Sequence, residues 1–407
     1  MSEVEKMKSR GEGSLVASVA RDDGSALARG PDGETRAETR TLERALFLVS
    51  ASRTPCGVEM FARRLGQTWR AIGHEERSVV IGGEIGEIFT IGKALDHADA
   101  LVMNFPIVAW KRVLLTPLLA LIVTRLRGIR TILIVHEWDD LDWRRRLVLM
   151  TYALFAKHVM LSSPMVRDQY LESSFARFIG IPTSIIPIPT NIERTGSFVP
   201  SAIGAQIRAR RQNRIAIGHF GSIYPKKQSD FVLLVAAELK RMGRDVLVVF
   251  IGEFVKGLDS VERDFNRQLD LLGLRDDVVV TGYVERSDEI FTLFEELDCF
   301  VYRFREGLSS RRSSVLACLQ AGKPVLVNAP AGADEFHHHR IFKYAIENNI
   351  LHLLPADADA TAYAAALVAA ATREESRPIE MFEAIWVDAA RALERAADLE
   401  SSAAFNR

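Results

Sequence analysis

The sequence has few cysteines and almost no net charge, and each shortage excludes a class of protein. Cysteine occurs three times, at Cys56, Cys299 and Cys318, without a Cys-x-x-Cys pair. A disulfide framework and a zinc cluster are therefore not indicated, and a reducing cytoplasm is expected. The formal net charge of -1 provides no excess of Lys and Arg to neutralise phosphates, so no nucleic acid partner is expected.

Long apolar runs are also lacking. The most apolar run, over residues 113–124, is interrupted by Pro117 and is shorter than the roughly 20 residues that cross a bilayer, so no transmembrane helix is predicted. Residues 1–42 mix charged and small residues without an apolar segment, and we interpret them as a disordered tail rather than a secretory signal.

What remains is the composition of a folded, globular chain. Hydrophobic residues make up 48% and charged residues 26% of the 407 residues. This balance supports a sizeable core, and a chain of this length favours two domains at roughly 100 to 200 residues each.

Short apolar runs alternate with helical stretches, which predicts two doubly wound α/β domains. The expected strands lie at residues 45–50, 78–81, 100–103, 131–135, 158–161, 184–187, 214–221, 246–251, 278–281, 299–302 and 324–328. We predict a first domain over 43–195, a linker over 196–213, a second domain over 214–372, and C-terminal helices over 373–407 that return to the first domain. Ligands of parallel sheets bind beyond the carboxyl ends of the strands, here in a cleft between the domains.

Two loops of the first domain carry candidate site residues. Gly57 follows the first strand and precedes a helix, so its backbone can approach an anion or a sugar hydroxyl. His136 ends the fourth strand beside Glu137, Asp139 and Asp140 and is a candidate for holding a substrate hydroxyl. The alternatives are a simple connecting turn at Gly57 and a structural role for His136.

Two loops of the second domain carry cations and hydroxyls at helix starts. Gly221 and Ser222 leave a strand and lead to Lys226 and Lys227, which suit a diphosphate unless they are a solvated surface pair. The loop over 303–314 combines forked Arg donors with hydroxyls; capping alone explains its serines and glycine but not its arginine pair. Its candidate residues are Gly307, Ser309, Ser310, Arg311, Arg312 and Ser313. Residues 337–339, three consecutive histidines, are interpreted as a solvated loop or helix and not as a metal site.

From about Arg44 to Leu393 the chain resembles the retaining GT-B glycosyltransferases of family four. Residues 56–59 are similar to a Gly-Gly-Val-Glu turn of that family, residues 135–137 to its donor-contacting strand end, and residues 187–192 to its interdomain segment. Residues 271–284 resemble the strand and turn beside the nucleotide base. The resemblance implies two facing Rossmann-like domains and sugar transfer from a nucleotide-diphosphate sugar, UDP- or GDP-linked. No other cofactor is expected, and no metal is needed if cationic side chains neutralise the diphosphate.

The resemblance also implies roles for the candidate residues. Lys227, Arg311, Arg312 and the N–H groups near Ser313 would neutralise the diphosphate, with Gly221, Ser222, Gly307, Ser309 and Ser310 completing the donor site. The base would lie near Val284. His136 and the Gly57 turn would hold the transferred sugar near Glu306, and His136 and Glu306 are the expected catalytic residues.

Two departures from the family leave alternatives open. Ser222 stands where the family has a phosphate-binding Arg, and Ala317 stands where the ribose-binding Glu is expected. In the loop over 303–314, the order of Glu-Gly, a serine, two arginines and a further serine resembles a variant found in some bacterial members of the family. An active enzyme is therefore still expected. The alternatives are a noncatalytic scaffold of the same fold and a sugar-nucleotide epimerase.

Arginines and apolar residues are interleaved between Lys111 and Lys157. An apolar surface rimmed by cations can rest on an anionic membrane and reach a lipid-linked acceptor, whereas the alternative is a buried helix with solvated ends. We expect a saccharide or lipid-linked acceptor in bacterial polysaccharide or glycoconjugate biosynthesis, and a cytoplasmic protein that associates peripherally with the inner face of the plasma membrane.

Overall fold

The strands of the described chain form two parallel sheets of six strands each. The structure is a computed structural model. It describes residues 42–52, 56–84, 86–194, 198–224, 228–255, 259–371 and 379–403. The predicted α/β class is confirmed.

The first sheet has the order β2-β1-β3-β4-β5-β6. Its strands are β1 Arg44–Ser50, β2 Glu75–Ile81, β3 Ala100–Phe105, β4 Arg130–Val135, β5 His158–Leu161 and β6 Thr183–Ile185. β1, β3, β4 and β5 are almost wholly buried, as expected for parallel strands that are covered on both faces.

The second sheet has the order β12-β11-β10-β7-β8-β9. Its strands are β7 Ile215–Phe220, β8 Val246–Ile251, β9 Val278–Val280, β10 Cys299–Tyr302, β11 Val325–Asn328 and β12 Leu351–Leu354. β12 was not predicted, because Leu351–Leu354 is a four-residue run that contains a histidine and lacks β-branched side chains.

Helices connect the strands and cover both sheets. In the first half they are α1 Gly57–Ala71, α2 Glu87–Leu95, α3 Leu115–Leu126, α4 Trp143–Ala153, α5 Pro164–Glu172, α6 Ser174–Ile179 and α7 Ala202–Arg211. In the second half they are α8 Phe231–Arg241, α9 Asp259–Leu272, α10 Ser287–Glu295, α11 Ser313–Gln320, α12 Arg340–Glu347, α13 Ala360–Ala371 and α14 Phe382–Ala403.

The last helix packs on the first sheet although it follows the second in sequence. α13 lies against α8 of the second domain, whereas α14 lies against α1, β4 and β5. Trp386 and Leu393 of α14 are fully buried in one apolar cluster with Phe47 and Ile134. The chain therefore crosses between the domains twice.

The predicted linker and the predicted tail each differ from the structure at one point. The expected linker, 196–213, contains α7, whose Ile207 is buried in the core of the second domain and whose Arg208 pairs with Glu296. The arginines at the end of this segment concealed the helical spacing of Ile203 and Ile207, which both pack on that core. Leu42, assigned to the tail, is fully buried; the rest of that predicted tail lies outside the described residues.

Candidate active site between the sheets

A cleft of about 600 Å³ opens where the carboxyl ends of the two sheets face each other. Loops that follow β1 and β4 contribute from the first domain, and loops that follow β7, β8, β9 and β10 contribute from the second. Of the sequence-predicted residues, those that line it are Gly57, His136, Gly221, Ser222, Val284, Arg311, Arg312 and Ser313. The position agrees with the general location of ligands in open parallel sheets.

His136 is buried at the first-domain side of this cleft. Its Nε2 lies 2.9 Å from Asn104 Oδ1, and its ring meets Phe61 edge-on with centroids 5.1 Å apart. Burial, with a smaller contribution from the charge of Arg311, lowers the pKa of His136 to about 3. The imidazole is therefore neutral, and donation from Nε2 to Asn104 leaves Nδ1 as a hydrogen-bond acceptor suited to a hydroxyl.

Gly57 begins α1 at the edge of the cleft. Its carbonyl oxygen accepts a hydrogen bond of 3.0 Å from Asn191 Nδ2. The side chain of Cys56, the residue before the helix, caps none of the first-turn N–H groups. Such a helix start offers backbone donors to an oxygen-rich ligand.

Two glycines bring the loops after β7 and β8 together. Gly221 and Gly252 both have positive φ angles, of 119° and 153°. A Cβ atom on Gly252 would overlap the carbonyl oxygen of Gly221, so this part of the cleft wall is built from closely packed backbone. Ser222 is exposed next to it, and Val284 lines the cleft while packing on the second core.

Arg312 carries the positive charge of the second-domain side. Its guanidinium lies over the Phe304 ring at 4.7 Å, and its Nε has no hydrogen-bond partner among the described residues. Burial, and secondarily the charge of Arg311, lowers the pKa of Arg312 to about 10, which leaves it charged at neutral pH. The start of α11 at Ser313 lies beside it, so a cation and helix N–H groups face the same space.

Arg311 has different partners from its neighbour. Its Nη2 donates to Asp140 Oδ2 at 2.8 Å, and its Nη1 lies 3.7 Å from Glu137 Oε1. Both carboxylates follow β4, so Arg311 joins the second domain to the first across the cleft. Only 11% of its side chain is exposed.

Ser309 and Ser310 belong to a buried contact between the domains and not to the cleft lining. Glu335, 2% exposed, accepts hydrogen bonds from Ser309 Oγ at 2.9 Å and from Ser310 N at 2.7 Å. Its other oxygen accepts from Met165 N at 2.8 Å, at the start of α5. Ser309 Oγ also lies 3.0 Å from Ser163 Oγ, which caps the same helix. We refer to Ser163, Met165, Ser309, Ser310 and Glu335 as the interdomain carboxylate cluster.

Of the three histidines after Glu335, His337 is exposed as predicted, but His338 is half-buried and His339 is buried, so the interpretation was wrong for these two. His339 is fully buried, and its Nε2 lies 3.2 Å from the carbonyl oxygen of Ile188. Burial lowers the pKa of His339 to about 3 and that of His338 to about 4. They pack where the second domain meets the segment that leaves the first, which the local sequence pattern does not reveal.

Glu306 and Gly307 form the turn that precedes this cluster. Glu306 is exposed, and its Oε2 accepts a hydrogen bond of 3.3 Å from Gln169 Nε2 of the first domain. Gly307 has a φ of 79°, and a Cβ atom there would overlap the carbonyl oxygen of Ala329. Neither residue lines the cavity. Lys227 lies outside the described residues.

In the comparison with known protein families, a family model matches the second half of the chain. Residues 214–373 match the family model described as Glycosyl transferases group 1. That match covers the second domain and less than half of the chain. No curated protein matches the sequence.

Solved structures match over most of the chain. HepE from Anabaena bound to UDP has a TM-score of 0.57 at 16% identity, covering 89% of this chain and 98% of that one. HepE with UDP and glucose has a TM-score of 0.54 at 17% identity, with the same shares covered. A glycosyltransferase from Rickettsia africae has a TM-score of 0.55 at 13% identity, covering 88% and 93%. The predicted GT-B arrangement of two Rossmann-like domains is confirmed.

Proposed function

We propose that this chain is a glycosyltransferase that transfers a sugar from a UDP- or GDP-linked donor to a saccharide or lipid-linked acceptor. The match of the second domain to the group 1 family and the fold shared with UDP-bound HepE support this. The proposal places the reaction in the cytoplasm, within bacterial polysaccharide or glycoconjugate synthesis, as the sequence resemblance implies.

The observation that carries the proposal is Arg312. No carboxylate within the described ranges forms an ion pair with it, and its Nε has no partner there. A partly buried cation beside the start of α11 suits an anion of high charge, and a diphosphate supplies both the charge and the acceptor oxygens. As the bond to the sugar breaks, negative charge grows on the leaving diphosphate, and Arg312 with the N–H groups near Ser313 would stabilise it.

The donor would extend from the second domain toward the first. The base would lie near Val284, the diphosphate near Gly221, Ser222 and Arg312, and the sugar near Gly57 and His136. Because His136 is neutral and buried, its proposed role is to accept a hydrogen bond from a sugar hydroxyl rather than to carry charge.

Other members of the predicted site keep their roles in the proposal with changed geometry. Arg311 would reach the diphosphate by exchanging Asp140 for phosphate, and Ser309 and Ser310 would act through domain closure, which excludes water from the reaction. Glu306 keeps its proposed role toward the transferred sugar on the sequence resemblance, although it does not line the cleft. Lys227 and retention of anomeric configuration rest on the sequence resemblance.

A nucleotide panel tests the donor assignment. The melting temperature of the full chain is measured with UDP, GDP, ADP and their glucose conjugates, because a ligand that binds only the folded state raises it. We expect stabilisation by either UDP or GDP and by its glucose conjugate, and less by the matching monophosphate, UMP or GMP, measured alongside. Equal melting temperatures with every nucleotide would contradict the proposal.

Turnover distinguishes a transferase from its alternatives. During incubation with the stabilising nucleotide sugar alone, nucleoside diphosphate is expected to be released slowly, because water replaces the acceptor. Its release is expected to be faster when an acceptor is added. Binding without release of nucleotide would favour the noncatalytic scaffold. Conversion of the donor into its epimer without a glycosylated product would favour the epimerase.

We also propose that α4 rests on an anionic membrane. Trp143, Leu147 and Leu154 are exposed, lie on one stripe of the helix by their spacing, and are flanked by Arg144 and Arg145. Arginines near an anionic surface each contribute about 1 kcal/mol. None of the helices in the described ranges has the length and apolarity that crossing a bilayer needs.

Vesicle cosedimentation tests the α4 proposal. The full chain is expected to sediment with vesicles containing phosphatidylglycerol and to be released by salt, and Trp143→Ala combined with Leu147→Ala is expected to weaken this. An exposed residue elsewhere, Leu271→Ala, is the control. Absence of sedimentation with anionic vesicles would contradict the proposal.

A further inference from the structure

A second cavity, of about 250 Å³, lies along α1 next to the cleft. Arg63, Arg64 and Gln67 contribute to its wall from one face of α1, at helical spacing. Phe382 and Trp386, one turn apart, contribute from α14, and Glu193 contributes from the segment that leaves the first domain. None of these residues belongs to the donor site described above.

The cavity is contiguous with the cleft. Met60 and Asn191 line both spaces. Asn191 also holds the carbonyl oxygen of Gly57, which is at the start of α1 where the transferred sugar is proposed to lie. A molecule that extends from the reaction centre past Asn191 would therefore enter this second cavity.

Two buried polar atoms on its lining residues have no partner among the described residues. One is Oδ1 of Asn191, an acceptor, and the other is Nε1 of Trp386, a donor on a fully buried side chain. An unpaired buried polar group is destabilising, so a ligand that pairs with these two atoms once the side chains of Asn191 and Trp386 adjust gains binding energy. A hydroxyl-rich ligand both donates and accepts and can satisfy the two together.

Both cations at the cavity have carboxylate partners. Arg63 pairs with the buried Glu59 at 2.8 Å, and Arg64 lies 2.6 Å from Glu383 and 3.7 Å from Glu193. Because the cations already have carboxylate partners, the site does not select an anion such as phosphate. The Arg64 guanidinium lies 5.6 Å from the Phe382 ring centroid, which adds a flat surface of mixed polarity.

We propose that this cavity binds a neutral sugar residue of the acceptor, outside the reaction centre. Hydroxyls, a planar ring surface and zero net charge are the chemistry of a carbohydrate. The volume is below that of typical sites for drug-sized ligands and suits one sugar ring. The acceptor is then a saccharide of two or more sugars, whether free or lipid-linked. This inference rests on the proposed function and specifies its acceptor.

A glycan array tests the inference. The fluorescently labelled full chain, saturated with UDP, is applied to immobilised neutral oligosaccharides, and the dissociation constant of the strongest binder is measured by titration. Gln67→Trp, which fills the cavity, and Phe382→Ala, which removes its ring, are expected to weaken that binding by about 10-fold or more. Stabilisation by UDP is expected to stay at the wild-type value. Phe178→Ala, at an exposed aromatic residue elsewhere in the first domain, is the control.

Trp386→Phe separates binding from folding. It removes the unpartnered N–H and keeps an aromatic ring, so the variant is expected to bind the glycan more weakly while still being stabilised by UDP. Wild-type glycan affinity in both Gln67→Trp and Phe382→Ala would overturn the inference, as would a wild-type chain that is stabilised by UDP and retains no neutral glycan. Absence of stabilisation of the wild type by both UDP and GDP would instead contradict the proposed function, while glycan binding remains measurable without nucleotide.

Discussion

The two faces of the cleft differ in charge. The first-domain face presents a neutral imidazole at His136, the backbone of Gly57 and the carboxylates of Glu137 and Asp140. The second-domain face presents Arg312 and the start of α11. Phosphate oxygens are attracted to the second face and repelled by acids on the first, whereas sugar hydroxyls suit neutral groups. The difference orients a nucleotide sugar across the cleft, with its diphosphate in the second domain.

Removing the cation of the second face is expected to have the largest effect. Arg312→Ala deletes charge-assisted hydrogen bonds worth about 1.5–3 kcal/mol, which corresponds to roughly a 10- to 100-fold weaker affinity for the stabilising nucleoside diphosphate. Calorimetric titration measures it. Arg305→Ala, an exposed arginine in the same loop, is the matched control. Equal affinity in Arg312→Ala and wild type would remove the charge difference as the basis of donor orientation.

Separating the two faces is expected to have the next largest effect. Glu335→Ala leaves Ser310 N–H and Met165 N–H without their acceptor, and we expect the free energy of unfolding to fall by about 1–3 kcal/mol. Urea denaturation followed by tryptophan fluorescence measures the change. Exposed Glu347→Ala is a control of the same type. Unchanged stability in Glu335→Ala would mean that the interdomain carboxylate cluster does not hold the faces together.

A smaller effect is expected for the arginine that bridges the faces. In Arg311→Ala the ion pair with Asp140 is lost, but Asp140 is 41% exposed and such pairs contribute about 0–1 kcal/mol. Because Arg311 must give up Asp140 before it contacts phosphate, its net contribution to binding is small, and donor affinity is expected to fall by less than about fivefold, against the larger loss in Arg312→Ala. If the two substitutions weaken binding equally, Arg311 contacts the diphosphate in the complex as directly as Arg312.

The smallest effect concerns the neutrality of His136. Its pKa is about 3 in the folded protein and about 6.5 when exposed, so below pH 6.5 the unfolded chain binds the extra proton and stability is lost as the pH falls. His136 alone contributes a loss of less than about 1 kcal/mol between pH 7 and pH 6. Urea denaturation at several pH values is expected to give a flatter acid dependence for His136→Gln. An identical dependence would indicate that His136 titrates normally.

Sequence patterns predicted the sheets better than the contacts between them. Continuous apolar runs such as Val246–Ile251 and His158–Leu161 were found with their observed bounds, because buried parallel strands lack polar interruptions. Gly57, Gly221 and His136, which follow strands in the sequence, indicated where the cleft lies. α7 was missed because the arginines at its end drew attention away from Ile203 and Ile207, which are spaced four residues apart and pack on the second core.

The interdomain carboxylate cluster was beyond reach of sequence reasoning. Glu335 and Met165 are 170 positions apart, and a carboxylate before three histidines resembles a surface turn. Ser309 and Ser310 carry the chemistry of a phosphate loop, yet their hydroxyl hydrogens are directed to Glu335. Only the packing of α5 against the second domain distinguishes these two uses of serine.

The position of α14 has a consequence for biosynthesis. Phe47 and Ile134 emerge from the ribosome early, but Trp386 and Leu393, which complete their apolar cluster, are translated only after the entire second domain. The nascent first domain therefore waits with part of one side of its sheet uncovered while the second domain folds, since on that side α1 is present and α14 is not. Translation rate and chaperone occupancy during that interval, rather than the equilibrium stability of the finished molecule, would govern how much protein reaches the native state.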